Sequence, residues 1–199
     1  MNKLTRFLSI GLFLSFAVFF LSCKEKITNK TELIAYINDP ENGLQKCRQA
    51  GKIKAVLTYK PLQLTSVNIN QDKPGTAKAG MFRNNLFFVL SLSANNKELI
   101  RQLPFDQYSE MVQVMAFRMN NFIDIIPNND RPVAPLSCTF QPTYGMGTAN
   151  NLLIVFDKKK LLTAHHIKVH IKEFGLNIGD LYFDIAVSDI KKIQNIVVN

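Results

Sequence analysis

Apolar and polar positions alternate with a period of two along several short stretches of the chain. Ile53, Ala55, Leu57 and Tyr59 alternate with Lys52, Lys54, Val56 and Thr58, and Pro61 closes the run. That is the pattern of a strand with one buried face. Asn85–Ala94 is more hydrophobic and ends in alternation, which predicts a central strand. Asn151–Phe156 reads as a buried strand, and His166–Phe174 and Leu181–Val187 alternate again. Residues 106–126 fit both periods. They are assigned a short helix over 107–114 and a strand over 115–126. Pro127–Pro132 then predicts a hairpin turn into a strand over Val133–Phe140, whose prolines Pro132 and Pro135 place it at a sheet edge.

Helical spacing is rarer. Leu33, Ile34 and Ile37 share one face, with Thr31 as the expected N-cap and Asn38-Asp39-Pro40 as the stop. Asn42-Gly43 marks a turn, and residues 68–80 an exposed loop. Ser188–Ile193 predicts one terminal helical turn. About seven strands with two or three short helices, joined by turns and without repeats, predict a mainly β protein. The expected architecture is an antiparallel β-sandwich.

The N-terminus breaks this pattern. Lys3 and Arg6 precede fifteen uncharged, mostly apolar residues, Phe7–Leu21. That is short for a spanning helix and the right length for the apolar region of a signal peptide. The stretch Phe20-Leu21-Ser22-Cys23, followed by Lys24-Glu25-Lys26, resembles a bacterial lipoprotein signal. The resemblance implies cleavage between Ser22 and Cys23 and lipidation of Cys23, whose thiol forms the thioether. Several acyl chains then anchor the protein without a spanning helix. The expected organisation is a signal peptide over 1–22, a lipidated tether over 23–30 and one domain over 31–199. Lys24 is not the Asp that resembles an inner-membrane retention signal, which points to the outer membrane, on its periplasmic or surface face.

Composition then means something different. Of 199 residues and a formal +9, the chain after Ser22 keeps 177 residues and +7. That length suits one domain with a real core. The basic residues are dispersed in two groups, around Lys46–Lys60 and Lys158–Lys172, without interleaved aromatics. Nucleic acid is therefore not an expected partner, and attraction to anionic headgroups is the relevant consequence.

Candidate chemistry is sparse. Cys47 and Cys138 remain after Cys23 is acylated; export would allow them to pair, and two free thiols fit equally. His165, His166 and His170 cluster, but on a strand His166 and His170 stand roughly 13 Å apart, too far to share an ion. No metal or cofactor is expected. Glu173, Asp180 and Asp184 are the carboxylates of a hydrolase alternative, although Asp180 sits in a turn where carboxylates bond backbone amides. No catalytic residue is assigned. The loop Thr143–Gly147 lacks the spacing of a phosphate loop and offers Tyr144 and Met146 as a partner-contacting tip.

The segment Leu33–Leu44 (LIAYINDPENGL), the lipobox and the strand end Tyr59-Lys60-Pro61 are together similar to uncharacterised small lipoproteins of the Bacteroidota. The resemblance covers the first third of the chain beyond the leader and implies no activity. The expected function is a lipid-anchored, non-enzymatic binding or assembly component of the cell envelope. Its partners would be the membrane through Cys23 and an envelope protein or glycan. The alternatives are an anchor subunit of a secretion or conjugation machine, or an envelope hydrolase.

Overall fold

The structure is a computed structural model and describes residues 27–64 and 83–196. The leader, Cys23 and the loop at 68–80 lie outside the described residues. Helix α1 (Lys30–Asn38) buries Leu33 and Ile37. Asn29, not Thr31, caps it: its Oδ1 accepts the Glu32 amide at 2.9 Å, and the Glu32 carboxylate reaches back to the Thr28 amide at 2.7 Å. This reciprocal cap starts the helix earlier than Thr31 would allow, and the helix stops before Asp39-Pro40 as expected. Ile34, placed on the apolar face by spacing, is 46% exposed.

Among the described residues nine strands form two antiparallel sheets. They are β1 (Gln45–Ala50), β2 (Ile53–Lys60), β3 (Asn85–Ala94), β4 (Lys97–Glu98), β5 (Ile123–Pro127), β6 (Ser137–Gln141), β7 (Asn150–Asp157), β8 (His166–Ile171) and β9 (Leu181–Ala186). Sheet A runs β1-β2-β3-β7-β6, with β4 added to the end of β3, and sheet B runs β5-β8-β9. β3 therefore occupies the centre of sheet A and β6 its edge, as the hydrophobic run and the prolines indicated. The mainly β, antiparallel architecture agrees with the sequence reading, with two more strands than counted.

One core joins the inner faces. Leu57, Phe88, Leu90, Ile154 and Phe156 of sheet A cluster with Ile125, Val169, Phe183 and Ile185 of sheet B, each at most 1% exposed. Phe88 meets Tyr59 and Phe156 edge to face, with centroids 5.6 and 6.2 Å apart, an arrangement that aromatic quadrupoles favour. Burial pushes the Tyr59 phenol up to about 12, against the hydrogen bond it receives from Gln194.

Three sequence assignments change. The strand expected over 115–126 begins only at Ile123. Helix α2 (Phe105–Gln113) continues through a π-helical turn at Val114–Arg118 and a 3₁₀ turn at Met119–Asn121. Met111, Val114, Met115 and Met119 are buried at helical spacing, while Phe117, which the strand period would bury, is 83% exposed. The strand expected over Val133–Phe140 is split. Val133 makes a single antiparallel bridge to Ile125 in sheet B, and the chain then crosses Pro135 to pair as β6 in sheet A. The terminal helical turn is the two-turn helix α4 (Val187–Gln194). Helix α3 (Lys158–Leu161), begun by an Asp157 cap, follows β7.

Candidate functional site

The outer face of sheet B follows from the alternation of β8. Ile167, Val169 and Ile171 point into the core, so His166, Lys168 and His170 point out. Register then places Asp124 of β5 and Tyr182 of β9 beside His170, and Ile126 and Asp184 beside Lys168. The result is a compact polar face on a rigid sheet.

His170 is held on three sides. Its Nδ1 lies 3.3 Å from Asp124 Oδ1, its Nε2 lies 2.8 Å from Asp180 Oδ2, and the Tyr182 ring stacks on it at 4.5 Å, tilted by only 5°. Asp124 is buried, and its second oxygen meets Lys172 Nζ at 3.2 Å. Asp180 Oδ1 accepts the Glu173 amide at 2.9 Å. The hydrogen bond with His170, and next the Glu173 amide, hold the Asp180 carboxyl below its ordinary range.

Glu173 organises the turn between β8 and β9. Its carboxylate accepts five backbone amides, those of Gly175, Leu176 and Asn177 on Oε1 and of Ile178 and Gly179 on Oε2, at 2.6–2.9 Å. Burial opposes its charge, and the amides more than offset that, so the carboxyl stays below the usual range. Of the three carboxylates of the hydrolase alternative, only Asp184 is largely uncommitted: it is exposed and 4.0 Å from Lys168 Nζ. Next to it Ile126, Asn128, Asn129, His166, Ile167 and Lys168 line a recess of about 380 Å³.

A second constellation lies where β4 pairs with the end of β3. Glu98 is only 3% exposed. Its carboxylate accepts the Thr143 hydroxyl, the Gly145 amide at 2.8 and 2.9 Å on its two oxygens, and the Gly147 amide at 3.2 Å. Burial resists the charge; these bonds and nearby Arg101 prevail and hold the carboxyl below its ordinary value. The loop so pinned carries Tyr144 and Gly145 at φ of 52° and 87°. It leaves Tyr144 79% and Met146 87% exposed.

The two cysteines do not pair. Both are free thiols. Cys47 on β1 and Cys138 on β6 sit at opposite edges of sheet A with β2, β3 and β7 between them, about 19 Å across four strand spacings. Disulfides require Cα atoms within about 7 Å. Burial pushes the Cys138 thiol up to about 12. His166 and His170 lie on a strand, and among the described residues no three His, Cys, Asp or Glu groups are arranged to hold a metal ion. No described helix is long and apolar enough to cross a membrane.

Sequence reasoning did not bring Asp124 to His170, nor Glu98 to the Thr143–Gly147 loop. The first depends on sheet register and the second on a contact spanning 45 or more positions. The class that the fold defines is a mainly β protein of two antiparallel sheets. No family model, curated protein or solved structure matches the chain.

Proposed function

We propose that the chain is a lipid-anchored component of the cell envelope that binds a partner and does not catalyse a reaction. Acyl chains on Cys23, after removal of 1–22, hold it at the outer membrane, and its partner is an envelope protein or glycan. One observation carries the preference for binding: of the candidate acid–base groups, His170, Glu173 and Asp180 are already engaged within the fold, and Asp184 faces only Lys168 at 4.0 Å. Both His170 nitrogens face aspartates, Glu173 accepts five amides, and Asp180 bridges the two. With its Nε2 bonded to Asp180 and its side chain only 13% exposed, His170 is poorly placed to take a substrate proton. Meanwhile Tyr144 and Met146 stand exposed on a loop fixed by Glu98, and exposed side chains on a rigid loop favour recognition.

A photo-crosslinking residue in place of Tyr144, in the full chain in cells, tests the reading. Capture of one envelope partner, lost on Met146→Asp, is expected; no adduct other than lipid would refute it. Asp184→Ala separates the hydrolase alternative, because loss of a measured hydrolytic activity at unchanged thermal stability would favour an enzyme.

A further inference from the structure

The edge strands of the two sheets are not protected alike. A sheet edge presents unpaired N–H and C=O groups, and proteins blunt it with charges, bulges or cover. β1 carries Lys46 and Arg48, β4 Lys97 and Glu98, β5 Asp124 and β9 Asp184. β6 (SCTFQ) carries none. It sits within Pro132–Phe156, twenty-five consecutive residues without a single Asp, Glu, Lys, Arg or His. In a chain that is 20% charged, such a run would ordinarily hold about five charges.

The open side of β6 is also apolar at its start. β6 pairs with β7 alone among the described residues. Leu136, just before it, is 58% exposed, and Phe117, on the π-helical turn that packs against β6, is 83% exposed. Pro135 and Pro142 bracket the strand and remove backbone donors on either side. The window open to a further strand is thus 136–141, and Tyr144 and Met146 lie outside it.

We propose that β6 is a self-association edge: two copies of this chain pair their β6 strands antiparallel across a two-fold axis at Thr139. This goes beyond the proposed function and does not depend on it. Two arguments choose a second copy as the occupant. A chain of net charge +9 repels its own copy across most of its surface, whereas this edge brings no like charges together. A two-fold at Thr139, the middle residue of β6, pairs all five residues with their counterparts, so the contact is isologous and closes on itself. It sets Thr139 opposite Thr139 of the second copy, Cys138 opposite Phe140, and Leu136 beside Pro142, covering exposed apolar surface at both ends.

The test is oxidative crosslinking of the full chain in freshly broken cells, with membrane and soluble fractions kept together. Thr139 is exposed on the outer face, so Thr139→Cys in a Cys47→Ser background leaves the core intact. Directly opposed Cβ atoms lie about 5 Å apart, so a covalent dimer should form at least tenfold faster than through the exposed native Cys47 of the unaltered chain. Thr139→Lys places two ammonium groups face to face; it should abolish the dimer captured by an amine-reactive crosslinker while keeping the melting temperature. Crosslinking of Thr139→Cys no faster than Cys47, or crosslinking to a different protein, would overturn the proposal. So would a dimer that survives Thr139→Lys.

Discussion

Replacing Glu98 by alanine should unfasten the Thr143–Gly147 loop and destabilise the whole domain. The substitution removes the acceptor for the Thr143 hydroxyl and for the Gly145 and Gly147 amides. A donor left unsatisfied costs about 1–3 kcal/mol, with the low end suited to a half-exposed loop that water can reach. Three such donors give about 3 kcal/mol, and at roughly 2–4 °C per kcal/mol for a domain of this size the melting temperature should fall by about 6–12 °C. Glu98→Gln keeps one oxygen that can still accept all three donors, so its loss should be much smaller, about 1 kcal/mol. The pH dependence has a definite sign. The folded carboxyl lies below its ordinary value of 4.5, so its contribution is present above pH ~4.5 and is lost as pH falls through the lower folded value. Glu98→Gln should flatten the acid limb of the stability profile. Thermal and urea unfolding from pH 3 to 7, with hydrogen exchange at the Gly145 and Gly147 amides, measures all of this. A fall under about 2 °C for Glu98→Ala, or equal effects of the two substitutions, would refute the reasoning.

Other outcomes follow from the same geometry. Phe88→Ala, at a fully buried ring contacting Tyr59 and Phe156, should cost about 3–5 kcal/mol in urea unfolding. Asp124→Asn removes the charge between His170 and Lys172 and should cost about 1–3 kcal/mol. It should also release the stacked His170–Tyr182 pair, visible as a shift of the Tyr182 ring resonances. Cys47 should react with maleimide in the native state far faster than Cys138, whose thiol burial raises to about 12.

The legible parts of the fold were those where burial is one-sided. β2 and β3 bury alternate residues against a single core, so their sequences carry the period, and β3 spans the residues its hydrophobicity marked. β1 was not foreseen: as QKCRQA at an edge it is largely exposed and carries no apolar alternation. Met111–Met119 misled because a π-helical turn changes the helical phase midway, allowing a strand period to fit the same residues. Val133 and Cys138 looked like one strand because nothing in a single sequence shows that a chain leaves one sheet for another. At the site, the alternation of His166–Ile171 correctly put His166 and His170 on one outward face. That Asp180 would bond a backbone amide was also readable from its turn. The register joining Asp124 to His170, and the reach of Glu98 to Gly145, are tertiary facts that no local pattern records.

The acyl anchor proposed at Cys23 is the central claim. Metabolic labelling with an alkyne palmitate, followed by membrane fractionation of the full chain and its Cys23→Ser variant, tests it directly. The anchored reading predicts label and membrane sedimentation for the native chain and loss of both for Cys23→Ser. Equal labelling or equal sedimentation of the two chains would contradict it.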